Sequence, residues 1–238
     1  MPTLELIYED EYYIAINKAA GVMVHKTALE RDPETLFAVQ LFRDQIGQKV
    51  YPLHRLDRPT SGILLFGKSS EAASMLQPLF TGAGIIKSYL AIVRGFVTPD
   101  HGIIDHPLAK DLKYENQAAL TEYWKLGEVE IPFSSSNRYD TSRYSLMKVY
   151  PHSGRMHQIR RHFAHMRNYI IGDNTHGDNK QNKFFRRQFN MHHMLLHAWK
   201  MKFNHPVFNE AVSIEANAPE YFKDISKKLG WDSTHWNT

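Results

Sequence analysis

Residues 62–68 read Gly-Ile-Leu-Leu-Phe-Gly-Lys. No other stretch constrains the fold as strongly. A short, continuous apolar run of this kind reads as a buried strand, so the chain must form a sheet and cover it. Ser69 follows as a helix cap, and Ala72, Leu76, Leu79 and Phe80 share one face of the helix it opens. Pro78 fits badly there and predicts a kink or an early end. Upstream, Leu4–Tyr8 and Tyr12–Asn17 read as a hairpin across Glu9-Asp10-Glu11. Asp32-Pro33-Glu34 opens a helix that runs to about Ile46, with Leu36, Val39, Phe42 and Ile46 as its apolar spacing. Downstream, Lys87–Gly95, Ala118–Leu126, Tyr144–Tyr150, Leu195–Phe203 and Ala211–Ala216 read as strands. His157–Asn168 and Pro219–Gly230 read as helices. Residues 98–117 read as a polar, irregular loop or lobe crossing, 132–142 as a flexible loop, and 172–190 as a polar stretch ending in an aromatic-basic knot. No repeat is visible at a period of 20–50 residues. Strands dominate the middle and helices are scattered, so the expected class is α+β with a mixed or antiparallel sheet in two lobes.

Composition narrows the chemistry. The 238 residues include no Cys, which excludes disulfides, thiolate catalysis and zinc–thiolate or iron–sulfur sites. No apolar run approaches the roughly 18 residues of a membrane span, and the N-terminus lacks the pattern of a signal peptide. The expected location is therefore cytoplasmic. Net charge is +4, but Arg and Lys gather at 155–167 and 180–187. That distribution suits a polyanion, and equally a solvated cationic face. No P-loop, dinucleotide fingerprint or HExxH motif is present.

Three segments carry candidate chemistry. The first is His54-Arg55-Leu56-Asp57-Arg58-Pro59-Thr60-Ser61-Gly62, just before the buried strand. A loop Asp is most often a cap or a solvated charge. Here Arg55 and Arg58 flank Asp57 and favour its ionised form, and the strand offers a rigid scaffold to aim it. The second is Lys87-Ser88-Tyr89, where Tyr89 in isolation is an ordinary strand residue. The third is Gly154-Arg155-Met156-His157-Gln158-Ile159-Arg160-Arg161-His162. An Arg on the opening turns of that helix, beside its apolar face, is placed to pair with a buried carboxylate through its fork, or else to face phosphate or solvent.

Together these segments resemble the RluA-type pseudouridine synthases. HRLDRPTSG is similar to that family's catalytic motif, with its Asp at Asp57. KSY places the family's active-site Tyr at Tyr89, and GRMHQIRRH places its Asp-pairing Arg at Arg160. Asn17–His25 resembles the early NKPxGxxVH segment, and Leu196-His197-Ala198 with Phe203–Pro206 resembles the late one. The likeness runs from about residue 4 to 216. Ala19 stands where the family has Pro, and Met156 where it has Thr or Ser. The resemblance implies one catalytic domain over residues 1–238 with no N-terminal S4-type domain. It also implies no cofactor, a monomer, and RNA as partner. Within the family the likeness is to the branch acting on uridine 65 of tRNA, while relatives with the same core act on large-subunit ribosomal RNA.

That chemistry suits these residues. The base leaves C1′ through N1, turns and rejoins through C5, with no redox change. A carboxylate is suited to stabilise or trap the sugar cation. Attack on C6 of the base and action at C1′ both start from Asp57. Arg160 would offset the cost of keeping that carboxylate ionised in a dry pocket. Tyr89 offers an aromatic face to the uracil. The target base must leave its stack, which makes Arg55 and His54 candidates for filling the gap; the other reading of His54 is a satisfied structural His. Ile159 is a pocket wall or plain core. Arg58, Arg155, Arg161, Arg167, Lys183, Arg186 and Arg187 are candidates for contacting substrate, mainly its phosphates. Phe184, Phe185 and Phe189 either stack on bases or, for at least two of them, pack under the loop. Three rival readings are weaker. A metal site at His157, His162 and His165, or at His192, His193 and His197, is opposed by the neighbouring Arg residues. A glycosidase lacks a second acid near the motifs. A non-catalytic RNA-binding protein would not need Asp57, Tyr89 and Arg160 together.

Overall fold

The computed structural model of the chain describes residues 3–25, 35–82, 84–109, 115–136 and 138–236. Two compact units divide it: Met1–Lys87 with Ala198–Ala218, and Ser88–His197 with Pro219–Thr238.

The first unit opens with strands β1 (Glu5–Glu9) and β2 (Tyr13–Lys18), an antiparallel hairpin. Asp10 makes the turn: its Oδ1 accepts the backbone N–H groups of Tyr12 and Tyr13 at 2.7 and 2.6 Å, the local bond for which Asp is favoured in turns. Tyr13, Ile14, Ala15 and Ile16 are all buried, so β2 is covered on both faces. Helix α1 spans Ala38–Ile46, shorter than the sequence suggests. The expected opening at Asp32-Pro33-Glu34 lies outside the described residues, and residues 35–37 are not helical. Phe37 instead bridges Met23 in parallel. The first helical N–H groups, of Ala38 and Val39, donate to the Met23 and Val24 carbonyls, which satisfies donors that would otherwise need a side-chain cap. Leu36 is consequently exposed, whereas Val39 and Phe42 enter the core.

After β3 (Tyr51–Pro52), strand β4 (Ser61–Gly67) is buried at every residue, as its unbroken apolar run predicts. It pairs antiparallel with β2 and with β3. Helix α2 (Ser70–Thr81) begins where Ser69 accepts the Ala72 N–H at 3.1 Å, a cap worth about 1 kcal/mol. Pro78 lies inside it, and the helix ends at Thr81. Ala72 and Leu76 pack with Tyr13, Ile63 and Leu65 in this unit's core. Full burial of each large apolar side chain contributes about 1.5–3 kcal/mol.

Strand β5 (Ile85–Arg94) carries the chain into the second unit. There follow β6 (His101–Asp105), β7 (Leu108–Ala109), β8 (Asn116–Gln117), β9 (Leu120–Ile131) and β10 (Ser142–Pro151). β10 pairs antiparallel with β5 and β9, β9 with β6, and β7 with β8. Residues 98–117 are therefore not simply a loop: β6 alternates toward a single buried Ile104 and is held by pairing. Helices α3 (Gln158–His165) and α4 (Asn179–Phe189) come next. The second of these forms from the polar stretch 172–190 and its aromatic-basic end. Strand β11 (Leu196–Asn204) returns the chain to the first unit, where β12 (Ala211–Glu215) pairs with it antiparallel. Helix α5 (Glu220–Lys228) ends the second unit with Phe222 and Ile225 buried. The class is α+β, as expected. No described helix is long and apolar enough to cross a membrane.

Candidate active site

In the first unit, Asp57 sits half-buried on the loop entering β4, with Arg55 and Arg58 exposed on either side. Backbone bonds tie the loop down. The Thr60 N–H donates to the Asp57 carbonyl at 3.0 Å. The Gly21 N–H donates to the Arg58 carbonyl at 2.8 Å, and Arg58 Nε returns a bond to the Gly21 carbonyl at 3.1 Å. His54 Nε2 accepts the Leu65 N–H at 3.1 Å, and the ring stacks on Phe80 at 5.2 Å. Burial, and then the charge of Lys87, push this imidazole down to about 3 against a bond to the Arg55 backbone. His54 is thus neutral near pH 7 and anchors the loop to the strand.

Lys18 is the residue that sequence reasoning passed over. It is fully buried, and its ammonium donates to the carbonyls of Ala19 and Val22 at 2.9 Å each and of Arg58 at 3.4 Å. Burial lowers it to about 7, while the charge of Asp57 works in the opposite direction. Between about pH 7 and its ordinary value of 10.5, the unfolded chain keeps a proton that the folded chain has released. Stability must therefore rise with pH across that window. The unfolding free energy of the wild type, taken relative to Lys18→Met, is expected to climb from about pH 7.5 to 9.5 by up to about 1.4 kcal/mol per unit. A flat difference in urea melts would show that Lys18 keeps its ordinary affinity for protons.

In the second unit, Tyr89 lies on β5 opposite Val149 of β10 and packs against the cluster that contains Ile159 and Phe163. Ile159 is 6% exposed and serves the core there. The start of α3 is fixed by Gln158, whose Oε1 accepts from Ser153 Oγ and the Arg155 N–H, and whose Nε2 donates to the Leu120 carbonyl and Thr121 Oγ1. Arg160, 3% exposed, makes a two-pronged pair with Asp173: Nε to Oδ2 and Nη2 to Oδ1, both at 2.8 Å. Asp173 is 1% exposed. Burial raises its affinity for a proton, but the Arg160 bonds, the His176 and Thr175 N–H groups and the Arg160 charge together hold it below the usual carboxylate range. The sequence offered one signal for Asp173: a Gly-Asp pair directly after the apolar Ile170-Ile171.

The other basic candidates divide. Arg155 and Arg161 spend bonds on the carbonyls of Ala118 and Ala109. Arg186 holds Asn174 Oδ1 at 2.9 Å. Lys183 and Arg187 point outward on α4, and Phe184 and Phe185 are buried beneath. Of the His triplets, His162 Nε2 bonds the His106 carbonyl, His165 stacks on His106, and His193 stacks on Tyr221. Among the described residues no three His, Asp or Glu side chains are grouped as a metal would need.

A sheet-based α+β fold with a motif-borne Asp, Tyr and Arg defines a class. The chain belongs to the RNA pseudouridylate synthase family, RluA type, whose family model matches residues 12–165. It is 46% identical over 241 residues to tRNA pseudouridine synthase C of Vibrio vulnificus (strain CMCP6), with 97% of each chain covered. It is 44% identical over 238 residues to tRNA pseudouridine synthase C of Yersinia pestis, covering 96% of this chain and 91% of the other. Among solved structures, human RNA pseudouridylate synthase domain containing 1 shares the fold with a TM-score of 0.73 at 22% identity, over 91% of this chain and 84% of that one.

Proposed function

We propose that this isomerase converts a uridine of tRNA to pseudouridine, that the uridine is number 65, and that Asp57 is the reacting carboxylate. The observation that carries the reading is the near-full-length likeness to tRNA pseudouridine synthase C, with HRLDRPTSG intact at residues 54–62. The loop around Asp57 is held by backbone bonds and by Lys18 at the Arg58 carbonyl, so the carboxylate stands on a fixed support, as positioned chemistry requires. Asp57 acts at C6 of the base or at C1′ of the sugar. Tyr89 lends its ring face to the detached uracil. Arg160 takes the part of the family's Asp-pairing Arg. Arg55, exposed at the loop, takes the place of the flipped base, while Lys183 and Arg187 contact phosphate without reading sequence. The enzyme works as a monomer in the cytoplasm, where tRNA is its partner, and needs no cofactor.

The test is to incubate the protein with unmodified tRNA transcripts and with large-subunit ribosomal RNA fragments, then map pseudouridine by carbodiimide-dependent primer extension. Modification at tRNA position 65, lost when that uridine is replaced by cytidine, is expected. Modification confined to ribosomal RNA would overturn the substrate, and none in either would favour a binding protein. Arg160→Ala is expected to lower turnover at least about 100-fold while the Kd for tRNA changes less than about threefold. Normal turnover with lost binding would remove the pairing role.

A further inference from the structure

We infer that Asp173 is a positioning residue for catalysis, acting through Arg160. This rests on the assignment of Arg160 to the reaction. The carboxylate takes both Nε and Nη2 of Arg160 at 2.8 Å, which fixes the plane of the guanidinium as a single-point contact would not. Asp173 itself is clamped. Its Oδ1 accepts the N–H groups of Thr175 and His176 at 2.9 and 3.0 Å, and its carbonyl accepts from Asn182 Nδ2 at 2.8 Å.

The same turn grips α3 at a second point. His176 Nε2 lies 2.8 Å from Nδ1 of His157, and His157 is the residue that starts α3, in the left-handed region at φ 53°. The turn at 173–176 therefore holds the first helical turn at residues 157 and 160. Both charges of the Arg160–Asp173 pair are buried. Burying an ion pair brings little net stability over apolar packing, so its evident return is a fixed orientation for the guanidinium.

Asp173→Asn isolates this role. Asn keeps an oxygen for the Thr175 and His176 N–H groups, so the turn persists, but it loses the charged fork. The expected result is a fall in kcat of about 10- to 100-fold, the scale of a misplaced catalytic group, with KM and the Kd for tRNA within about twofold. In an Arg160→Ala background the same change is expected to lower kcat by less than about twofold further, because its effect passes through Arg160.

A kcat within about twofold of wild type for Asp173→Asn would overturn the inference. So would losses that multiply in the double variant. Should Asp173→Asn melt below the assay temperature, Asp173→Ser, whose hydroxyl also supports the turn, carries the same expectations and the same overturning results. If Arg160→Ala alone keeps full turnover, it is the assignment of Arg160 that fails, and the inference with it. If Arg160→Ala is impaired and Asp173→Asn is not, only the inference fails.

Discussion

Asp57→Asn is expected to abolish pseudouridine formation, lowering turnover by more than about 10⁴-fold, the scale of losing a group that reacts or stabilises charge directly. The substitution is nearly isosteric. Bonds that hold the loop backbone include Thr60 N–H to the Asp57 carbonyl, Gly21 N–H to the Arg58 carbonyl, and Lys18 Nζ to the Arg58 carbonyl. Removing one carboxylate oxygen leaves these in place. The variant should therefore fold and keep its affinity for tRNA within about threefold, because phosphate contacts supply most of that affinity. Single-turnover assays with filter binding on the same preparation separate the two quantities. Turnover within about tenfold of wild type would move the chemistry to another group.

Gly62→Ala is expected to be among the most damaging single changes to the fold. Gly62 adopts φ +110°, and a Cβ there would stand 2.2 Å from the Ala198 carbonyl oxygen and 2.7 Å from its nitrogen. Both are backbone atoms of β11 and cannot swing away as a side-chain tip would. The positive φ costs about 1–3 kcal/mol by itself for a residue with a Cβ. The overlap then forces β4 and β11 apart across a core containing Ile63, Leu65 and Met201. A loss above about 4 kcal/mol follows, against a typical total of about 5–15 kcal/mol. In thermal melts followed by circular dichroism the midpoint should fall by about 10 °C or more, or the protein should be recovered only as aggregate. A midpoint within about 3 °C of wild type would mean that the strands separate easily.

What the sequence disclosed follows from how locally each feature is encoded. The β1–β2 hairpin and β4 were legible because their apolar runs and the turn-forming Asp10 are contiguous. The cap of α2 was legible because Ser69 and Ala72 are three residues apart. Helix α4 was not, because its buried face is half polar: Gln181 and Asn182 go inside beside Phe184 and Phe185. Gln181 earns its place by bonding Tyr144 and Ser135, and Asn182 by bonding Gly172 and Asp173. Such partners are invisible to a hydrophobic pattern. Strand β6 was missed because pairing with β9, not its own composition, makes it a strand. Asp57, Tyr89 and Arg160 stood out through their motifs, whereas Lys18 lay in the early motif without being singled out and Asp173 lay in none. A buried Lys contradicts the usual distribution of charge, and Asp173 meets Arg160 across 13 residues through a turn whose shape only the structure shows.

The central claim is isomerisation rather than hydrolysis, and tritium release from tRNA labelled at C5 of uridine tests it most directly. Rejoining through C5 must expel that hydrogen, so the account predicts one tritium released into solvent for each pseudouridine formed, with no free uracil. Free uracil without tritium release would identify a glycosidase, and release of neither would contradict catalysis altogether.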